Sequence, residues 1–108
     1  MTVQSLIDRT DLTAAALPAP EREITGVYMG DLLSWVMGRA ASGDAWITIM
    51  SNQNIVAVAT LADTACILLA EGVQPDEGVA ALAAQRGINL LCSEHSAYET
   101  ALLLKECL

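Results

Sequence analysis

The sequence has 108 residues, which is enough for one domain with a core that needs neither disulfides nor a structural metal. Hydrophobic residues make up 54 % of the chain and phenylalanine is absent, so small aliphatic side chains must fill that core. Thirteen acidic residues against five basic ones give a net charge of −8, and such a surface repels nucleic-acid phosphates and anionic lipids. We therefore expect neither a nucleic-acid nor a membrane partner.

Targeting and metal-binding signals are also missing. No segment has the roughly 18–20 apolar residues needed to span a bilayer, and the N-terminus does not resemble a signal peptide. The three cysteines, Cys66, Cys92 and Cys107, show no C-x-x-C spacing, and His95 is the only histidine. These features predict a cytoplasmic protein with reduced thiols, no metal site and no cofactor.

The first elements in chain order are a helix and two strands. Residues 2–9 carry apolar side chains at helical spacing, with Thr2 placed to cap the helix. Residues 11–17 and 24–29 are predicted strands. Pro18-Ala19-Pro20 between them requires an extended or turned connection.

The middle of the chain predicts a helix, a strand and a second helix. The first helix is predicted from Asp31 to about Met37. Asp31 is placed to cap this helix or to favour its positive end, and Gly38 suits the C′ position directly after it. Residues 45–50 are rich in β-branched and aromatic side chains and give the strongest strand signal. A polar turn then leads into an apolar helical stretch over residues 55–62.

The last third repeats this alternation. Residues 64–69 predict a strand, and residues 74–86 a helix that begins at Pro75 with acidic residues in its first turn. Residues 88–92 form a short apolar strand. Ser96-Ala97-Tyr98-Glu99 has the pattern of a capping box and opens the final helix.

Alternating short strands and helices are typical of an α/β fold with right-handed crossovers. We predict a mainly parallel sheet of about five strands with helices on both faces. No linker, repeat or low-complexity tract interrupts residues 1–108, which are therefore expected to form one domain.

Polar loops follow three of the predicted strands. In open parallel sheets, ligands bind outside the carboxyl ends of the strands, where loops lead into helix N-termini. The candidate ligand-binding residues on these loops are Gly30, Asp31, Ser51, Asn52, Asn54, Ser93 and His95. The same residue types also cap helices or lie on the surface without any further role, and the sequence leaves both interpretations open.

Catalytic motifs are absent. There is no G-x-S-x-G nucleophile elbow and no Gly-Lys-Ser/Thr phosphate loop, which argues against phosphoryl-transfer chemistry. A small acid–base enzyme that uses Asp31, Ser51 and His95 remains an alternative. It requires these three side chains to converge on one pocket.

Five segments in order along the chain carry a resemblance to a known family: residues 23–37, 43–49, 54–59, 65–69 and 71–72. Through these segments the chain resembles the DRTGG domain family over roughly residues 20–108. The Ile24-Thr25-Gly26-Val27 segment keeps the Thr and one Gly of the motif that names the family, with Val27 where a second Gly is common.

The resemblance implies an α/β domain that occurs alone, beside CBS domains in regulatory proteins, or in phosphotransacetylase-type enzymes. It also implies similarity to the N-terminal, non-catalytic domain of HPr kinase/phosphorylase, and pairing of the domain with a copy of itself. Six large apolar residues lie close together between residues 27 and 37, and they would form either such an interface or part of the core. They are Val27, Tyr28, Met29, Leu33, Trp35 and Met37. We thus expect a non-catalytic regulatory module that dimerises and binds a small ligand, such as a nucleotide or metabolite, or a partner enzyme. A purely structural dimerisation domain is the alternative.

Overall fold

Strands and helices alternate through the computed structural model, which describes residues 1–108. The strands are β1 (Thr13–Ala16), β2 (Gly26–Met29), β3 (Asp44–Thr48), β4 (Cys66–Leu69) and β5 (Leu90–Cys92). The helices are α1 (Val3–Asp8), α2 (Leu33–Arg39), α3 (Asn54–Ala62), α4 (Val79–Gln85) and α5 (Ala97–Cys107). No helix is both long enough and apolar enough to cross a membrane.

The five strands form one sheet in the order β1-β5-β4-β3-β2. Strands β2 to β5 run parallel, whereas β1 lies antiparallel to β5 with an irregularity between Ala14 and Ala16. The prediction of an α/β fold with a mainly parallel sheet is confirmed, and the sheet is mixed because of β1. Its two outer strands are β1 and β2.

Alternate residues along the central strands belong to two separate apolar clusters, as the pleat of a strand requires. Trp46 and Ile67 pack in a cluster with buried residues of α2, α3 and α4. Ile47 and Leu68 pack in the other, with residues of α1 and α5. The strand residues of β3, β4 and β5 are buried throughout, and all of them except Asp44 and Thr48 at the ends of β3 are apolar.

The cysteines are free thiols in the structure. Cys66 and Cys92 are buried, and burial raises the pKa of the Cys66 thiol to about 12. That thiol therefore stays protonated and unreactive at neutral pH.

Two predicted helix ends are wrong. Asp31 does not cap α2, because Leu32 occupies the N-cap position and makes no side-chain capping bond. Gly38 lies inside α2, which continues to Arg39 and ends at Ala40. A glycine is a weak stop signal when the next residues still make helical hydrogen bonds, as the Ala40 N–H does to Val36.

The start of α4 also differs from the prediction. Residues 74–78 are irregular, with a turn only at residues 77–78, and α4 begins at Val79 with no acidic residue in its first turn. Gly78 has a φ of 84° at the N-cap position, so the chain turns through a left-handed conformation before the helix starts. One half of the predicted capping box is present, since Ser96 Oγ accepts from the Glu99 N–H. The Glu99 carboxylate accepts from Ser96 Oγ rather than from the Ser96 N–H.

Candidate functional site

The loop after β2 is fastened to the end of β3. Asp31 Oδ1 accepts hydrogen bonds from Thr48 Oγ1 at 2.7 Å and from the Ile49 N–H at 3.0 Å. The Gly30 carbonyl accepts from Trp46 Nε1 at 2.9 Å. Asp31 thus continues the pairing of the two strands beyond their last residues, and it holds the loop in place while its own side chain remains exposed.

The loop after β3 is ordered by its own polar side chains. Ser51 Oγ donates to Asp76 Oδ1 at 2.8 Å, and the Asp76 N–H donates back to the Ser51 carbonyl at 3.0 Å. Asn52 Oδ1 accepts from the Asn54 N–H at 2.9 Å, a local turn that starts α3. The Asn54 side chain is exposed and makes no hydrogen bond within the chain, so it is available to bind a ligand.

The loop after β5 is anchored in the core. Ser93 is buried, and its Oγ shares a hydrogen bond with Thr100 Oγ1 at 2.8 Å and accepts from the His95 N–H at 3.1 Å. The Glu71 N–H donates to the His95 carbonyl at 2.8 Å, which ties this loop to the one after β4. Ser93 therefore serves to position the loop, and His95 is its most accessible candidate.

His95 pairs with Asp11, which precedes β1. Its Nε2 lies 2.8 Å from Asp11 Oδ2, and its Nδ1 lies 3.8 Å from Glu99 Oε2. The hydrogen bond and negative charge of Asp11, with smaller effects of Glu99 and Glu94, raise the pKa of His95 above its ordinary value. The ion pair thus joins the N-terminal segment to the start of α5.

This pair predicts a pH dependence of stability. Because the folded-state pKa of His95 is raised, its stabilisation is complete below the ordinary value of 6.5 and is lost as the pH rises through the folded-state pKa. Thermal unfolding should therefore show a melting temperature that falls over this range, and Asp11→Asn should reduce that fall. Glu21→Gln, which removes an exposed carboxylate without a partner, should retain it; an unchanged profile in Asp11→Asn would contradict the assignment.

The three residues required for acid–base catalysis are not brought together. Asp31 follows β2 and His95 follows β5, three strand positions apart, which corresponds to roughly 14 Å across the sheet. The ring of His95 contacts Asp11 and Glu99, and Ser51 contacts Asp76. No three or more His, Cys, Asp and Glu side chains are grouped so that they could hold a metal ion.

The larger of two cavities lies at the opposite edge of the sheet, where β4 and β5 begin. It has a volume of about 210 Å³, and its polar lining includes Arg22, Asp63, Thr64, Arg86 and Asn89. Sequence reasoning missed this site because its residues come from three distant parts of the chain. The signal that the sequence did contain is that two of only five basic residues line it.

A second, shallower cavity of about 200 Å³ runs along α5 and is lined by His95, Glu99, Leu102, Leu103 and Glu106. His95 is the one residue of the sequence-predicted ligand loops that lines either cavity. Apart from the buried Ser93, the other loop residues are at least partly exposed at the carboxyl edge of the sheet.

Exposed apolar side chains are concentrated in β2, α2 and the loop that joins them. Five of the ten exposed large hydrophobic residues lie within residues 27–37, and we call them the β2–α2 surface: Val27, Met29, Leu32, Trp35 and Met37. Ile49, one residue beyond the end of β3, is also exposed. Tyr28 and Leu33 are instead partly buried against the core.

Comparisons with known proteins agree with this architecture. Residues 29–107 match the family model described as "DRTGG domain". A similar solved structure contains the CBS and DRTGG domains of the regulatory region of Clostridium perfringens pyrophosphatase, complexed with its activator diadenosine tetraphosphate. The TM-score is 0.68 at 15 % identity, and the alignment covers 94 % of this chain but only 45 % of that one.

A search of the curated proteins gives no match. The pyrophosphatase likeness establishes the fold, and the family match extends over most of the sequence. The chain belongs to the DRTGG domain family.

Proposed function

We propose that this chain is a non-catalytic regulatory module that self-associates through the β2–α2 surface and binds a small ligand or a partner enzyme. The observation that carries the proposal is the concentration of exposed apolar side chains on an outer strand and the helix that follows it. Membership of a family that occurs in the regulatory region of a pyrophosphatase supports the regulatory role.

Charge favours a second copy of the chain as the occupant of the β2–α2 surface. Each copy carries a net charge of −8, so two copies repel each other over most of their surfaces. Asp31 is the one acidic residue within residues 27–39, its carboxylate is held by Thr48 and Ile49, and Arg39 lies over the Trp35 ring at 3.7 Å. Two copies therefore approach at least cost across this surface, and burial of its apolar side chains drives the association.

The proposed ligand site is the carboxyl edge of the sheet. Asp31, Asn52 and Asn54 present polar groups on neighbouring loops, and Ser51 and His95 are partly exposed there. The activator bound in the pyrophosphatase regulatory region is a dinucleotide, which makes nucleotides the first class to test. The hydrogen bonds that fix these loops make the site largely preformed.

A thermal-shift screen against nucleotides and central metabolites tests the ligand. A ligand at about a hundred times its dissociation constant stabilises the fold by roughly 2.7 kcal/mol, which is readily detected. Asn54→Ala should weaken the response because it removes an exposed side chain that has no structural bond, and Asn52→Ala should act in the same direction. Gln53→Ala, an exposed neighbour, is the matched control. A hit that survives both asparagine substitutions unchanged would contradict this site.

The alternative function is a purely structural dimerisation domain, which the same β2–α2 surface favours. It predicts a dimer in solution and no response to any compound in the screen. A ligand response together with a dimer supports the regulatory proposal instead.

A further inference from the structure

The cavity at the opposite edge of the sheet contains an unpaired buried hydroxyl. Thr64 is only 4 % exposed, and its Oγ1 is the one buried side-chain polar atom in the chain without a hydrogen-bond partner. Its neighbour Thr60, which also lines the cavity, donates to the Val56 carbonyl at 2.9 Å. Buried polar atoms are nearly always paired, and Thr64 lines the cavity. Its Oγ1 has almost no accessible surface, so a group in the cavity reaches this hydroxyl when the Thr64 side chain turns toward it.

The charges around this cavity favour an anion. Arg22 donates to Asp63 Oδ1 at 3.0 Å and to the Asp63 carbonyl at 2.9 Å, and it has further N–H groups to offer. Asp63 is the only acidic residue in the lining, and the charge and hydrogen bond of Arg22 lower its pKa. Arg86 makes no ion pair and no side-chain hydrogen bond. Two guanidinium groups against one carboxylate leave an excess positive charge in a chain whose net charge is −8.

The walls of the cavity are held in place by a buried asparagine. Asn89 is 1 % exposed, and its side chain accepts from the Ala19 N–H at 2.9 Å and donates to the Ala19 carbonyl at 2.7 Å. It also donates to the Ala65 carbonyl at 3.0 Å. The segment that carries Arg22 is thereby fixed against the start of β4. A ligand would meet a site that is already formed, so little binding energy is lost in ordering it.

We propose that this cavity binds a small oxyanion, a phosphoryl or carboxylate group, with Arg86 and Arg22 as charged donors and the Thr64 hydroxyl as a neutral one. Guanidinium groups present paired N–H donors that match the oxygens of both groups. A volume of about 210 Å³ corresponds to roughly seven water molecules at about 30 Å³ each, which admits a free ion or the charged end of a larger molecule. The cavity lies at the edge opposite the polar loops, so a negative binding result at the cavity would not contradict the proposed function.

Titration of the amide NMR spectrum with inorganic phosphate, and separately with acetate, tests the site. The amides of Thr64, Ala65, Gly87 and Asn89 should shift and saturate with at least one of the two ions. Sodium chloride at equal ionic strength should leave them in place. Saturation with phosphate alone identifies a phosphoryl site, and saturation with acetate alone a carboxylate site. If neither ion gives saturable shifts at these positions, the proposal is overturned.

Two variants locate the binding. Arg86→Gln removes the unpaired charge and should weaken the dissociation constant at least tenfold, whereas Lys105→Gln removes an equal charge near the end of α5 and should leave it unchanged. Thr64→Val keeps the side-chain shape, so it should raise the melting temperature without ligand and weaken the binding of the ion. Equal effects of Arg86→Gln and Lys105→Gln would show nonspecific charge binding and reject the site.

Discussion

Replacement of Trp46 by alanine is expected to lower the free energy of unfolding by about 3–5 kcal/mol. Trp46 lies in the inner strand β3 and is completely buried among residues of α2, α3 and β4. Its Nε1 donates to the Gly30 carbonyl, so the substitution leaves both a large cavity and an unpaired carbonyl. Denaturant unfolding followed by far-ultraviolet circular dichroism measures the loss.

Trp35→Ala provides the matched control, since the chain has only two tryptophans. Trp35 is 52 % exposed on α2, and the guanidinium of Arg39 lies over its ring. Its removal should therefore change the free energy of unfolding by about 1 kcal/mol or less, measured at a concentration where the protein is monomeric. Similar losses in the two variants would contradict the assignment of Trp46 to the core.

The second large effect is expected on self-association. The wild-type chain should sediment at twice its monomer mass of 11.4 kDa, and Met29→Asp should reduce this to the monomer mass. Met29 is 53 % exposed on the outer strand β2. In a two-fold dimer the new carboxylate is buried or faces its own copy across the interface, and each of these is strongly unfavourable.

Leu61→Asp is the control for added charge. Leu61 is 74 % exposed on α3, outside the β2–α2 surface, so this variant should remain a dimer. Added salt should strengthen the wild-type dimer, because it screens the repulsion between two copies of net charge −8. A wild-type monomer, or equal dissociation in both variants, would reject the proposed interface.

The order of elements was predictable because it depends on local patterns. The apolar run 45–50 and the capping box at Ser96 correspond to β3 and the start of α5. Element ends were less predictable where distant groups compete for the same side chain. Aspartate commonly caps helices, yet the Asp31 carboxylate accepts hydrogen bonds from Thr48 and Ile49 at the end of the neighbouring strand. The sequence alone does not show that the end of β3 competes with the helix N-terminus for the Asp31 carboxylate.

Of the candidate sites, the polar loops could be predicted from the sequence and the cavity could not. Loops such as 51–54 could be identified from the sequence, because the end of a parallel strand fixes where its polar residues lie. The arginine-lined cavity could not, because Arg22, Thr64 and Arg86 meet only after β1 has joined the sheet beside β5. The pairing of Asn89 with Ala19, 70 residues apart, is equally invisible before folding.

The irregular pairing of β1 has a consequence for how many copies can assemble. A sheet with two regular open edges can be extended at both ends, and repeated addition of copies produces a fibre. Here the break in register between Ala14 and Ala16 makes β1 a poor template, which leaves β2 as the one regular outer strand. If two copies pair edge to edge at β2, growth by strand addition would therefore end after that single step.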